Sequence, residues 1–253
     1  MLRTRVIPCL LLKGKGLVKT IKFKDPKYVG CPINAVRIFN EKEVDELIFL
    51  DILASVEQKE PLFKFIAEVA SECFMPICYG GGIRSLGDIE RLFHLGVEKV
   101  SLNTIAFQNR SLIREAAKLF GSQSIVVSLD VKRTFFGKYE VYTLNGRKNT
   151  KQDPVQCAQD MEELGAGEIL LNSIDRDGAM QGYDIPMIRR VTEAVNIPVI
   201  ASGGAGNIHH FSEAVKQGGA SAVAAGSMFV FHGKYRAVLI TYPEVSELEP
   251  VLA

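Results

Sequence analysis

The chain repeats itself at about half its length. Glu46 and Glu168, Pro76 and Pro198, Gly81 and Gly203, and Gly82 and Gly204 are each separated by 122 positions. Strand-like and helix-like segments alternate throughout, which favours a parallel sheet with helical crossovers. Two similar βαβαβαβα halves close naturally into a (β/α)8 TIM barrel. The length of 253 residues agrees, because single barrels commonly run to ~250 residues. The expected organisation is one α/β barrel domain over 1–253, built from half-barrels of about 1–120 and 121–253. An open doubly wound sheet is the competing architecture, but its GxGxxG opening is missing from the first βα turn.

Eight strands are expected, at 5–11, 46–51, 75–79, 99–102, 124–130, 168–172, 197–201 and 222–225. Helices are expected over 32–44, 60–73, 86–95, 110–120, 154–164 and 185–195, and Pro32 is a good first-turn residue. Residues 13–31 read as a loop rich in Lys and Gly. Residues 134–150 read as a hairpin around Asn145-Gly146, a strong turn pair.

A formal net charge of +1 gives no overall basic excess that would argue for nucleic acid. The longest apolar runs are of strand length, so no segment spans a bilayer. Met1-Leu2-Arg3-Thr4-Arg5 leads straight into a strand without a signal-peptide core. A soluble cytoplasmic protein is expected, with neither nucleic acid nor membrane as partner. Cysteines 9, 31, 73, 78 and 157 are odd in number and form no CxxC pair, which reads as reduced, structural thiols. No two histidines recur at HxxxH-type spacing, so neither a metal nor a cofactor is expected.

In a parallel barrel, chemistry collects beyond the C-terminal ends of the strands. The run Ser124-Ile125-Val126-Val127-Ser128-Leu129-Asp130 ends there on a carboxylate, and aligning Lys13 with Lys132 places Leu11 opposite Asp130. Asp51, Asp175 and Asp177 also stand at strand ends. A general acid or base must stand at such a rim within reach of substrate; an N-cap or loop ion pair needs the same residue types. Glycine-rich or short polar turns follow the third, fourth, seventh and eighth strands. They suggest two phosphate sites, one over Gly82, Asn103 and Thr104 and the other over Gly204, Gly226 and Ser227, as suits a ligand with a phosphate at each end. At the opposite strand ends stand Arg5, Glu46, Lys99 and Glu168, two of each sign. Together they could form a closed ring of ion pairs plugging the axis; a structural salt-bridge cluster would have the same composition.

With these residues assembled, the chain closely resembles the cyclase subunit of imidazole glycerol phosphate synthase (HisF) over essentially all of 1–235. The carrying motifs are RVIPCL at 5–10, YGGGIRS at 79–85, KVSLNT at 99–104, GSQSIVVSLDVKR at 121–133, GAGEILLNSIDRDG at 165–178 and IASGGAG at 200–206. The related isomerase shares the half-barrel repeat but not the SIDRDG and GSQ stretches. The resemblance implies a lyase-type synthase subunit of a glutamine amidotransferase. A HisH-like glutaminase would dock at the N-terminal face of the barrel as a heterodimer, and ammonia would travel along the axis to the top. There it would meet a bisphosphorylated formimino-carboxamide ribonucleotide, giving imidazole glycerol phosphate and an aminoimidazole carboxamide ribonucleotide for histidine biosynthesis.

Carried over residue by residue, Asp130, Asp177 and Lys19 take catalytic positions, the phosphate turns match, and Arg5, Glu46, Lys99 and Glu168 form the ammonia gate. The first catalytic acid of the family falls on Leu11. Asn172 stands where the family usually has threonine, and Cys31 where it usually has aspartate. These departures, with the tail at 232–243, resemble the paralogues of surface-polysaccharide (lipopolysaccharide) gene sets, which are thought to supply ammonia to a separate sugar amidotransferase. The expectation is ammonia delivery with cyclase activity weakened by Leu11, the alternative being an active cyclase.

Overall fold

The computed structural model describes residues 4–252. Met1, Leu2 and Arg3, read above as leading straight into the first strand, lie outside the described residues, as does Ala253. The first half contains β1 (Arg5–Lys13), β2 (Gly16–Ile21), β3 (Lys24–Gly30), α1 (Pro32–Glu41), β4 (Leu47–Asp51), α2 (Phe63–Ser71), β5 (Ile77–Gly80), α3 (Leu86–His94), β6 (Lys99–Leu102), α4 (Thr104–Gln108) and α5 (Ser111–Phe120). The second half contains β7 (Ile125–Arg133), β8 (Tyr139–Thr143), β9 (Lys148–Asn149), α6 (Pro154–Glu163), β10 (Glu168–Ser173), α7 (Ile185–Thr192), β11 (Val199–Ser202), α8 (Ile208–Lys216), β12 (Ala222–Ala225) and α9 (Ser227–Val230). A short hairpin, β13 (Phe231–His232) with β14 (Ala237–Val238), and α10 (Val245–Leu252) complete the chain.

β1, β4, β5, β6, β7, β10, β11 and β12 pair in parallel in that order, and β12 pairs back to β1, which closes the barrel. The fold is the expected (β/α)8 barrel. Barrel strands are buried on both faces, so they read as near-continuous apolar runs. Two apolar clusters result. Val6, Leu10, Leu47, Val127, Leu171 and Val223 face the helices as part of the large outer cluster. Alternate residues, among them Ile7, Ile48, Cys78, Val126, Leu170 and Ile200, form a separate cluster inside the barrel. Helix starts are fixed locally: Ser85 and Asp88 make a reciprocal capping box on α3, and Asp153 caps α6 with Pro154 in its first turn.

The structure revises one loop expectation and adds detail to another. Residues 13–31 are not a loop, because β2 and β3 form an antiparallel hairpin on β1, with Leu11 opposite Val18. β3 is almost wholly exposed and lysine-rich, so the apolar signal of a buried strand is missing from it. The hairpin expected around Asn145-Gly146 exists, with both residues at positive φ, but it joins β8 to the very short β9. A further turn at 134–138 joins β8 to an extended β7. Each half-barrel therefore carries an antiparallel extension above its first strand, so the repeat extends to the loops.

Candidate active site

The C-terminal ends of the eight strands surround a basin of about 1010 Å³ that opens to solvent. Asp130, Asn172, Ser101 and Ser128 line its floor, with Leu11 and Leu50 contributing apolar wall. Asp130 stands two positions beyond Ser128 on β7, so strand alternation puts both on the basin side. Its two carboxylate oxygens accept from the Asn172 and Asn103 amides, each at 3.3 Å. Burial pushes the Asp130 carboxyl up to about 7, with the Asn172 hydrogen bond opposing and the Asp177 charge adding. A carboxyl titrating there is suited to give or take a proton near neutral pH. Leu11, also in the basin wall, can do neither.

Asp177 and Lys19 meet at one side of the basin. Asp177 Oδ2 accepts from the Thr20 hydroxyl at 2.8 Å and its backbone carbonyl accepts from Lys22, so the β2–β3 hairpin is fastened across the mouth to the loop after β10. Lys19 Nζ donates to the Cys9 carbonyl at 2.5 Å, and a Cβ at Gly226 would fall on that ammonium. Burial lowers the Lys19 pKa, while the charges of Cys9 and Asp177 favour its protonated form. Burial likewise raises Asp177, against the Thr20 hydrogen bond and Lys19.

Gly204, Gly226 and Ser227 line the basin beside Lys19, as do Gly203 and Ser202. On the other half stand Asn103, Thr104, Gly80 and Gly81. Gly81 and Gly203 are equivalent positions with φ of 120° and 84°. A Cβ on either would lie 2.6–2.7 Å from backbone oxygen of the neighbouring strand end, so only glycine fits both turns. Gly82 is placed differently. It does not line the basin, and its N–H is taken by Ser55 Oγ at 3.2 Å. Ser55, which does line the basin, was not legible as a site residue because the turn at 52–59 has no strand signal. Thr104 Oγ1 accepts from Leu144 N–H, which ties α4 to the β8–β9 turn.

The other strand-end carboxylates divide. Asp51 lines the basin but accepts from the Leu53 and Ala54 N–H groups, so it shapes its own turn, and burial raises its pKa. Asp175 does not line the basin and accepts from Arg133 N–H at 2.8 Å. It stands within the turn at 174–179, beyond the end of β10, where strand alternation no longer directs side chains at the axis.

At the other end of the axis the four charged residues close a ring. Arg5 bonds both Glu46 (2.5 Å) and Glu168, and Lys99 bonds the same two carboxylates at 3.0 and 2.9 Å. Between ring and basin the lumen is lined by the inner apolar cluster. Along this path three buried side-chain oxygens have no hydrogen-bond partner among the described residues: Glu46 Oε1 at the ring, Ser101 Oγ, and Asn172 Oδ1 at the basin floor. A small neutral donor could hydrogen-bond at each of them. Among the described residues, no group of three or more His, Cys, Asp or Glu is placed to hold a metal ion.

A family described as Histidine biosynthesis protein matches residues 5–236. A Pseudomonas aeruginosa chain provisionally named imidazole glycerol phosphate synthase subunit hisF2 is 59% identical over 98% of this chain and 99% of its own length. The chain belongs to the HisF family. A Vibrio vulnificus HisF, provisionally named subunit hisF3, is 51% identical over 100% of this chain and 97% of its own. The imidazole glycerol phosphate synthase subunit HisF of Alkaliphilus metalliredigens is 44% identical over 92% of each chain. By family, the molecule is a HisF-type synthase subunit of the lyase class. No helix among the described residues of this HisF-family chain is long and apolar enough to cross a membrane.

Proposed function

We propose that this HisF-family chain is the ammonia-using subunit of a glutamine amidotransferase, with a HisH-like glutaminase seated on the ring end of the barrel. The observation that carries the reading is the axis. A charged ring closes one end, a mostly apolar lumen with unpartnered oxygens follows, and an open basin bearing a buried carboxyl, raised to about 7 by that burial, ends it. Ammonia is small, neutral and a hydrogen-bond donor, so such a path admits it and disfavours ions. In the basin, the repeated turns would hold the two phosphates of a bisphosphorylated ligand, and Lys19 beside Gly226 would add a cation to one of them.

The names of the relatives favour chemistry inside the basin, as an imidazole glycerol phosphate synthase cyclase in histidine biosynthesis. In this reading Asp130 alternates as base and acid, and Asp177 and Lys19 orient the ligand. Leu11 favours a second reading, in which cyclase activity is weakened and ammonia passes on to a separate sugar amidotransferase of lipopolysaccharide biosynthesis. Losing a general acid or base costs ~10²–10⁴-fold in rate.

Turnover of the bisphosphorylated formimino-carboxamide ribonucleotide with excess ammonium salt, by the parent and by Leu11→Asp, separates the two. Robust parent turnover establishes the cyclase. No parent turnover with a gain in Leu11→Asp supports delivery.

A further inference from the structure

Two amides clamp Asp130, and they are not equivalent. Asn103, just beyond β6, is used at both ends. Its Nδ2 donates to the Ser128 carbonyl at 3.0 Å and reaches Asp130 Oδ2 and the Tyr142 carbonyl, while its Oδ1 accepts from the Thr104 hydroxyl at 3.3 Å. Turning that amide over would set its oxygen against two carbonyls, so its orientation is fixed. Asn172, on β10, is used at one end. Its Nδ2 donates to Asp130 Oδ1 at 3.3 Å, and its buried Oδ1 has no partner among the described residues.

The idle oxygen lies against the turn after β11. A Cβ at Gly203 would stand 2.7 Å from it and 2.7 Å from the Ser173 carbonyl oxygen, so both oxygens flank the direction of one Gly203 α-hydrogen. A buried acceptor left unsatisfied keeps its desolvation cost. Reversed, Asn172 would set its NH2 beside the Ser173 carbonyl and aim Oδ1 at Asp130. A carboxylate offers that oxygen no proton, but a carboxylic acid has one O–H to donate. Burial holds the Asp130 carboxyl at about 7, so both forms are present near neutral pH.

The geometry points to Asn172 as a reversible positioning residue: its amide donates to Asp130 when the carboxyl is ionised, and turns over to accept the proton from Asp130 Oδ1 when it is not. Asp130 then keeps two hydrogen bonds in either state, to Asn172 through Oδ1 and to Asn103 through Oδ2. Gaining or losing a proton leaves the carboxyl in place, with the proton on the oxygen that faces β10. The catalytic use of this device rests on the reading of Asp130 as the proton-transfer group; the reversal itself does not. Other titratable groups act on Asp130 from β1 and from the loop after β10. These are Cys9, with Lys19 at its carbonyl, and Asp177. From β8, Tyr142 stands opposite Asp130 and its hydroxyl accepts from Asn149. A reversal driven by Asp130 must therefore follow the titration of Asp130 and of none of these.

The test is NMR of the whole chain, labelled with 15N in asparagine side chains and 13C at aspartate carboxyls, from about pH 5 to about pH 9. Below the Asp130 midpoint the Asn172 NH2 protons should show cross-relaxation to the Gly203 α-hydrogens. Above it that contact should vanish, at the same midpoint as the shift of the Asp130 carboxyl carbon. The Asn103 amide should keep one orientation throughout. Asp130→Asn should abolish the pH dependence of the Asn172 contact, because no proton is left to move. Asn172→Thr, whose hydroxyl serves both forms by rotation, should keep the Asp130 midpoint within about half a unit. An Asn172 NH2 with the same neighbours across the range overturns the inference. So does a reversal that follows Asp177, Cys9 or Lys19, or one that persists in Asp130→Asn. A pH-independent kcat/KM beside a reversal at the Asp130 midpoint removes Asp130 from proton transfer and leaves the reversal standing.

Discussion

Asp130 and Leu11 occupy matching places in the two half-barrels, and the difference between them is the chemical asymmetry of the molecule. Asp130 is held between two amide donors on a buried floor, and its carboxyl titrates at about 7 against an ordinary value of 3.8. The folded chain therefore binds this proton more tightly than the unfolded one. The associated stability is complete below 3.8 and is lost as pH rises through about 7. Asp130→Asn, which keeps the shape without the charge, should melt higher than the parent by a margin that widens from pH 5 to pH 7 and then levels, as scanning calorimetry would show. The same substitution should lower any cyclase kcat ~10²–10⁴-fold. With free ammonia held constant, parent kcat/KM should fall as pH drops below about 7, because the base is then protonated. A flat profile would remove Asp130 from the proton-transfer role.

The strand-end residues were legible because a barrel strand announces both its run and its end: the position of Asp130 followed from an apolar stretch terminated by a carboxylate. Asn172 was seen only as a departure from threonine. Its role in holding Asp130 depends on β7 pairing directly with β10, with Asp130 opposite Asn172, a register no single stretch of sequence displays. Ser55 and the true place of Gly82 were hidden for a related reason. Side chains of irregular turns follow no period, so spacing says nothing about which way they face.

At the scale of elements, the β2–β3 hairpin decides how the basin is closed. Its alternation is broken by register shifts at 17–18 and 19–21, and its outer strand is solvated, which is why the lysine content dominated the reading of 13–31. The hairpin places Lys19 inside the barrel against Gly226 while its tip is tied to Asp177. Gly226→Ala puts a methyl group where the ammonium lies and 2.9 Å from the Cys9 carbonyl. It should displace Lys19, destabilise the fold by about 1–3 kcal/mol, and weaken binding of a phosphorylated ligand about ten-fold, or 1.4 kcal/mol. Calorimetric titration with glycerol phosphate reads the second effect. Unchanged affinity would separate Lys19 from the phosphate site. By contrast, Gly82→Ala should act through strain at its φ of 74° and the crowding of Lys59 and Ala54, not through lost ligand contact.

At the scale of the whole molecule, the repeat was the most legible feature, since closure into eight strands follows from two halves that cannot bury their edges alone. The ring of Arg5, Glu46, Lys99 and Glu168 was legible as a set because four strands begin on charges. Its closure is a property of the complete barrel. Removing one cation leaves two buried carboxylates sharing Arg5, and breaking such a buried pair costs about 3–5 kcal/mol. Lys99→Ala should therefore lower the melting temperature and, with the glutaminase bound, lower the ratio of glutamine-driven to ammonium-driven turnover. An unchanged ratio would reduce the ring to a structural plug.

The ring and the basin floor share no residue, and on β10 they stand four positions apart, Glu168 to Asn172, roughly 13 Å along the strand. A substitution among the basin residues can therefore change the chemistry at one mouth without altering any side chain of the ring at the other. Leu11 is such a residue: it lines the basin and belongs to no part of the ring, so on the delivery reading proposed above it changes what the basin can do and not what the ring admits.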